Sequence, residues 1–93
     1  MHIATLTVVL YLAEGSSLKD KRQVIKSVVA SIRQKFNVSI AEVDDLDLWR
    51  RATLGIACVS NDSSHANRVL DKVLDHLEAN PAFSVGEVAL EMR

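Results

Sequence analysis

Four strand-like segments and two amphipathic helical segments follow one another in an order that few folds can accommodate. Side chains alternate in residues 2–12, 38–45, 50–60 and 83–93, as in strands with one buried face. Helices are predicted from the N-cap Ser17 to about Phe36, and from Asn61 or Asp62 to about Ala79. With right-handed crossovers, the order β-α-β-β-α-β predicts an α+β, ferredoxin-like fold. Such a fold has a four-stranded antiparallel sheet, both helices on one face, and the first and third strands at its centre.

The last strand contains one irregularity. Its apolar residues fall on odd positions before Gly86 and on even positions after it. Because one inserted residue reverses the alternation, we expect a β-bulge near Gly86.

Length and composition predict a single domain over residues 1–93. The chain is 48% apolar and 25% charged, which is typical of a globular protein that buries one core. Its one cysteine, Cys58, cannot form an internal disulfide, which favours a location in the reducing cytoplasm. Cys58 falls on the inner face of the third strand, so we expect it in the core. The apolar start has no basic segment before it and is too short to cross a bilayer, so we expect neither a targeting signal nor a membrane association.

Charge is distributed unevenly although the formal net charge is only −1. Residues 17–36 contain six bases and one acid, whereas residues 37–49 contain four acids and no base. The overall balance argues against general affinity for nucleic acid, but the first block remains a candidate phosphate-binding surface.

Three stretches resemble a known bacterial family. They are "SLKDKR" at 17–22, "KFNVSIAEVDDLDLWRRATLGIACVSND" at 35–62 and the helical "VLDKVLDHLE". Together they are similar to the YlxP-like family, a domain of unknown function. The resemblance implies a small ferredoxin-like domain, and the family's gene neighbourhoods imply a role around RNA or the ribosome. It supplies no catalytic residues.

The first helix carries the strongest candidate binding site. At about 100° per residue, four bases fall within roughly 60° of one another beside the buried face. This basic stripe could follow a phosphate backbone, and Ser16 and Ser17 at the helix start could help to bind an anion. The members of the basic stripe are Lys19, Arg22, Lys26 and Arg33.

Two other interpretations of the basic stripe stay open. It could be the solvated back of an ordinary helix, whose long side chains lie along the surface. It could also pair with the acidic segment 42–47, within one chain or between two copies, which would account for both charge blocks without nucleic acid.

The sheet face without helices is the second candidate site. Its residues are small and half apolar, and Tyr11 is its only aromatic residue in the first and third strands, so stacking of RNA bases on this face is not expected. A homodimer is expected instead, since two-fold pairs are the commonest oligomers. The predicted interface residues are Val9, Tyr11, Trp49, Arg51 and Thr53.

No pattern indicates catalysis, a metal or a cofactor. Asp44, Asp45 and Asp47 lack the spacing of a calcium-binding loop, and the three histidines fall on different elements. The sequence therefore predicts a small binding protein without enzymatic activity, which associates with structured RNA or the ribosome through the basic stripe. The alternative is a dimeric protein-interaction or small-ligand regulatory domain with no nucleic-acid role.

Overall fold

The computed structural model describes residues 1–13 and 17–93. These residues form the six predicted elements in the predicted order, with ends that agree to within one or two residues. Asp62, rather than Asn61, caps the second helix, because its carboxylate accepts a hydrogen bond from the Ser64 backbone N–H at 2.9 Å. The elements are β1 (His2–Leu12), α1 (Leu18–Lys35), β2 (Ser39–Asp44), β3 (Arg51–Ser60), α2 (Ser63–Glu78) and β4 (Phe83–Met92).

The four strands form one antiparallel sheet in the order β2-β3-β1-β4. The first and third strands are central, and the predicted α+β, ferredoxin-like fold is confirmed. In register, Leu6 lies opposite Ile56 on one side and Leu90 on the other, so these three residues share the face that the helices cover. Both β2 and β4 are edge strands in the described part of the chain.

The core lies between the helices and the inner face of the sheet. Even-numbered residues of β1 and β3 supply one side, and Cys58 among them is only 3% exposed, as predicted from its position. Helix α2 supplies Ala66, Leu70, Val73 and Leu77 at the spacing of one helical face.

A β-bulge interrupts β4 where the sequence predicts one. Val8 pairs with Val88 but Leu10 pairs with Val85, so β4 has one residue more than β1 over this stretch. The ring of Tyr11 lies directly over Gly86, and a Cβ atom there would overlap the ring. A residue larger than glycine at this position would therefore force the Tyr11 ring to move.

Candidate functional site

Helix α1 presents the basic stripe, and its sequence explains where the helix begins and which face it buries. Ser17 caps it, since the Ser17 hydroxyl accepts a hydrogen bond from the Asp20 N–H at 3.0 Å and the Asp20 carboxylate accepts one from the Ser17 N–H at 3.2 Å. One side of the helix is buried against the sheet, which leaves Lys19, Arg22 and Lys26 exposed. The buried residues are Lys21, Ile25, Val28 and Ile32.

One of the capping residues, Asp20, lies at the predicted anion site at the start of α1. The Asp20 carboxylate lies where an anion would approach the helix N-terminus. Its pKa is lowered chiefly by the Ser17 backbone N–H, with the Ser17 side chain as the next contribution. Ser16 lies outside the described residues, so anion binding by Ser16 and Ser17 stays a prediction.

The basic stripe lies on the flank of α1 that faces the outer edge of β2. Arg33 donates a hydrogen bond from Nη2 to the Ile40 carbonyl of β2 at 3.0 Å. Ser31, about 160° away around the helix, is 3.1 Å from His76 Nε2 on α2. The stripe therefore points away from α2 and follows the open edge of the sheet.

Most of the stripe is unpaired. Lys19, Arg22 and Lys26 make no ion pair with any residue in the ranges 1–13 and 17–93. Arg33, by contrast, is tied to β2 through its bond to Ile40. Three of the four predicted bases thus keep their charge available to a ligand.

A further base in this helix has a different role. Lys21 is 1% exposed, and its ammonium donates a hydrogen bond to the Asp45 carbonyl at 2.6 Å and lies 3.5 Å from the Leu46 carbonyl. It is also 3.0 Å from Oε2 of Glu42, a buried oxygen that accepts no well-aligned hydrogen bond from the described residues, so this contact is Coulombic. Lys21 therefore anchors the loop between β2 and β3 (residues 45–50) against α1.

Sequence reasoning missed this anchor, although a signal was present. Lys21 falls in phase with the buried residues of α1, and Glu42 falls in phase with the buried Ile40 of β2. Two opposite charges, each on the apolar side of its element, indicate an internal ion pair, because an unpaired buried charge is strongly unfavourable.

Asp45 connects the β2–β3 loop to the open face of the sheet. Its backbone has φ of 63°, a left-handed conformation that aspartate tolerates better than most residues. Its carboxylate accepts hydrogen bonds from Thr53 Oγ1 at 2.7 Å and from Arg51 Nε at 2.9 Å. The Thr53 bond is the main cause of the lowered pKa of Asp45, and Arg51 lowers it further.

Four of the five predicted interface residues lie together at this end of the open face. Val9 and Thr53 are directly opposite each other in the register and each is 7% exposed. The Arg51 guanidinium carbon lies 5.8 Å from the centroid of the Tyr11 ring, within range of a cation–π contact. The Tyr11 hydroxyl donates to Glu87 at 2.8 Å, which raises the Tyr11 pKa. Their part in an interface stays a prediction.

Trp49, the fifth predicted interface residue, lies apart on the β2–β3 loop and is 59% exposed. Large apolar neighbours are exposed with it, and Val43 at the end of β2 extends this surface onto the open face, where it lies over Gly55. We define the exposed loop surface as Val43, Leu46, Leu48 and Trp49.

The remaining features point to no further chemistry. A shallow groove of about 300 Å³ crosses the open face and is lined mainly by small side chains, among them Thr5, Thr7, Gly55 and Ala57. Among the described residues, no three His, Cys, Asp or Glu side chains are grouped so that they could hold a metal ion. Neither helix in this part of the chain is long and apolar enough to cross a membrane.

The lowered pKa of Asp45 predicts how the stability of the loop depends on pH. Because the folded-state pKa lies below the ordinary value of 3.8, the stabilisation is fully present above that value and is lost as the pH falls through the folded-state pKa. Asp45→Asn keeps a residue that tolerates positive φ but removes the charge. We expect wild type to be more stable than Asp45→Asn by a constant margin from pH 7 to pH 5, which shrinks below about pH 4.

Urea denaturation of the two proteins at several pH values measures this margin. A margin that grew on acidification would show that the charged form of Asp45 is not the stabilising one.

Comparison with known proteins places the chain among bacterial relatives. The family model DUF503, described as a protein of unknown function, matches residues 3–90. The uncharacterised protein YlxP of Bacillus subtilis (strain 168) is 38% identical over 68 residues, which are 73% of this chain and 74% of YlxP.

A solved structure also overlaps the chain. It is described as the REP associates tyrosine transposase bound to a REP hairpin, with 14% identity and a TM-score of 0.46. The alignment covers 98% of this chain and 55% of that one, so the chain spans about half the length of that protein.

Proposed function

The chain belongs to the DUF503 family, as its resemblance to YlxP predicted, and we propose that it is a binding protein that attaches to structured RNA, such as that of a ribosomal particle, through the basic stripe. The proposal assigns it no catalytic step.

One observation carries this proposal: the unpaired bases of the described chain include three on a single helix flank. Lys19, Arg22 and Lys26 span about 10 Å along α1 at 1.5 Å per residue. In contrast, Lys21 and Arg51 are engaged within the protein by Glu42 and Asp45. Two of the four acids in residues 42–47 thus have partners other than the stripe, which favours an external anionic ligand for the stripe.

The mode of binding follows from what surrounds the stripe. Lysine and arginine side chains on a helix reach phosphates and fix the position of a nucleic acid without reading its sequence. Reading of single-stranded bases would need aromatic rings beside the stripe, and α1 itself contains none. The Tyr11 ring on the open face is held by Glu87 and Arg51, and the exposed Trp49 lies on the β2–β3 loop. We therefore propose recognition of RNA shape and charge, not of base sequence.

A charge-reversal pair with a matched control tests the proposal. Arg22→Glu/Lys26→Glu reverses two exposed bases one turn apart on α1, and Arg68→Glu/Lys72→Glu makes the same change on α2. With a fluorescein-labelled RNA hairpin at about 0.1 M salt, we expect roughly 50-fold weaker binding for the α1 pair and little change for the α2 pair. Equal losses for both pairs would show general electrostatic attraction instead of a defined surface.

The exposed loop surface favours a second candidate function, a protein-interaction domain. Its large apolar side chains are presented on a loop that Lys21 and Asp45 hold in place, and Trp and Arg are enriched where partners bind most tightly. Because Trp49 is the only tryptophan, its fluorescence reports directly on whether this loop becomes buried. A partner that binds here should shift the Trp49 emission to the blue and should tolerate salt that dissociates RNA.

A further inference from the structure

Edge strand β4 exposes an apolar row on the side of the sheet that the helices cover elsewhere. Val88, Leu90 and Met92 lie opposite the buried residues Val8, Leu6 and Ala4 of β1, so they point toward the helix layer. They are nevertheless 43%, 41% and 42% exposed. The helix layer thus ends before it covers the outer strand.

The same three residues present the unpaired backbone groups of β4. Ile3 and Arg93 exchange both of their backbone hydrogen bonds, at 2.8 and 2.7 Å. In an antiparallel ladder such pairs alternate with pairs that exchange none. The N–H and C=O groups of Val88, Leu90 and Met92 therefore point away from β1, toward the open edge.

Beyond the bulge near Gly86 and the acids Glu87 and Glu91, β4 has none of the features that usually protect an edge strand. Edge strands are usually short or carry lysine, proline or a covering segment, and β4 has ten residues with neither lysine nor proline. The opposite edge, β2, has six residues, and Arg33 covers its Ile40 carbonyl. We propose that β4 pairs with β4 of a second copy in an antiparallel, two-fold arrangement centred on Leu90.

The position of the bulge favours Leu90 as the centre. The bulge lies between Val85 and Val88, so the regular segment of β4 runs from Val88 to Met92, with Leu90 as its middle residue. About six new backbone hydrogen bonds would form, two between the Leu90 residues and two at each pair of Val88 with the partner's Met92.

Charge complementarity selects the same register. Centred on Leu90, the pairing places Glu87 opposite the partner's Arg93 at both ends, where Arg93 already lies 3.1 Å from Glu91 of its own chain. Centred on Ala89, it would place Glu87 opposite the partner's Glu91, and centred on Glu91 it would place that residue opposite its own copy. Like charges directly opposite each other are destabilising, so of these three registers only the first is favourable.

The resulting dimer has a definite shape. A two-fold axis perpendicular to the sheet joins the two four-stranded sheets into one and keeps all helices on the same side, over the two apolar rows. The two β2 strands become the outer edges, roughly 34 Å apart at about 4.8 Å per strand spacing. The basic stripes remain accessible there, so the dimer neither rests on the RNA proposal nor conflicts with it.

Sedimentation equilibrium of the full chain, with variants of the two sheet faces, tests the interface. Leu90→Lys puts two positive charges at the two-fold axis, so we expect the dissociation constant of the dimer to rise at least about 100-fold. Val59→Lys makes the same change at a residue of the open face that is 60% exposed, and we expect it to remain dimeric. Circular dichroism checks that both variants fold. The proposal would be overturned if wild type were monomeric. It would also be overturned if the Val59→Lys variant were monomeric while the Leu90→Lys variant remained a dimer.

Single cysteines test the register. Leu90→Cys brings two thiols together at the axis, where paired Cα atoms are about 5.5 Å apart, so mild oxidation should give a covalent dimer. Val88→Cys places each thiol opposite the partner's Met92, so it should not cross-link, and the native Cys58 is buried. Cross-linking of Val88→Cys without that of Leu90→Cys would exclude pairing centred on Leu90.

Discussion

Replacement of Lys21 by Met is expected to lower the free energy of unfolding by about 3 kcal/mol. The change keeps most of the side-chain volume but removes the ammonium group that faces Glu42 and the Asp45 carbonyl. The Glu42 side chain is only 15% exposed, so its carboxylate would be left with a buried oxygen and no cation. For a domain of this size the loss corresponds to a fall of roughly 12–24 °C in the melting temperature.

Two further variants separate the ion pair from other effects. Lys21→Met/Glu42→Gln removes both charges, so we expect it to recover most of the lost stability, because an apolar or neutral replacement of a whole buried pair is often tolerated. Lys19→Met, on the exposed side of the same helix, should change stability by less than about 0.5 kcal/mol. Thermal and urea denaturation measure all three. A double variant no more stable than Lys21→Met would show that Lys21 acts through the loop carbonyls and not through Glu42.

The affinity for structured RNA is expected to depend steeply on salt, and the basic stripe should account for most of the slope. If Lys19, Arg22 and Lys26 each neutralise one phosphate, a plot of the logarithm of the binding constant against the logarithm of the salt concentration should have a slope of about −2.7. Binding should then be roughly 40-fold weaker at 200 mM than at 50 mM salt.

Reversal of two of these bases should reduce the slope as well as the affinity. With Arg22→Glu/Lys26→Glu we expect a slope of about −1, and with Arg68→Glu/Lys72→Glu a slope close to that of wild type. Fluorescence anisotropy of a labelled RNA hairpin across a salt series gives both quantities. An unchanged slope in the α1 variant would mean that the phosphates contact other residues.

The strand and helix order could be predicted from the sequence because each element has its own period. Alternation located the strands, and their order among the helices predicted that β1 and β3 are central. The reversal of phase at Gly86 predicted the bulge. Ser17 followed by Asp20 identified the start of α1. These features depend on neighbours in the sequence, which a pattern records directly.

The contacts through which Lys21 and Asp45 hold the β2–β3 loop in place could not be predicted in the same way. Lys21 and Asp45 are 24 residues apart, and their contact depends on how α1 lies across the sheet. The low exposure of Val9 and Thr53 likewise depends on the packing of side chains across the open face, which their alternation does not reveal. Exposure of the basic stripe agrees with its position on the helical wheel, but the sequence did not show that Arg33 would bond to Ile40.

Sedimentation with ribosomal particles tests the proposed function most directly. The particles would come from an extract of the organism that carries this gene, and wild type would be run beside Arg22→Glu/Lys26→Glu and Arg68→Glu/Lys72→Glu at physiological salt. We expect wild type and the α2 variant to travel with a ribosomal subunit and the α1 variant to stay at the top of the gradient. If wild type also stays at the top, or if the α1 variant travels with the subunit, the basic stripe is not a ribosome-binding surface.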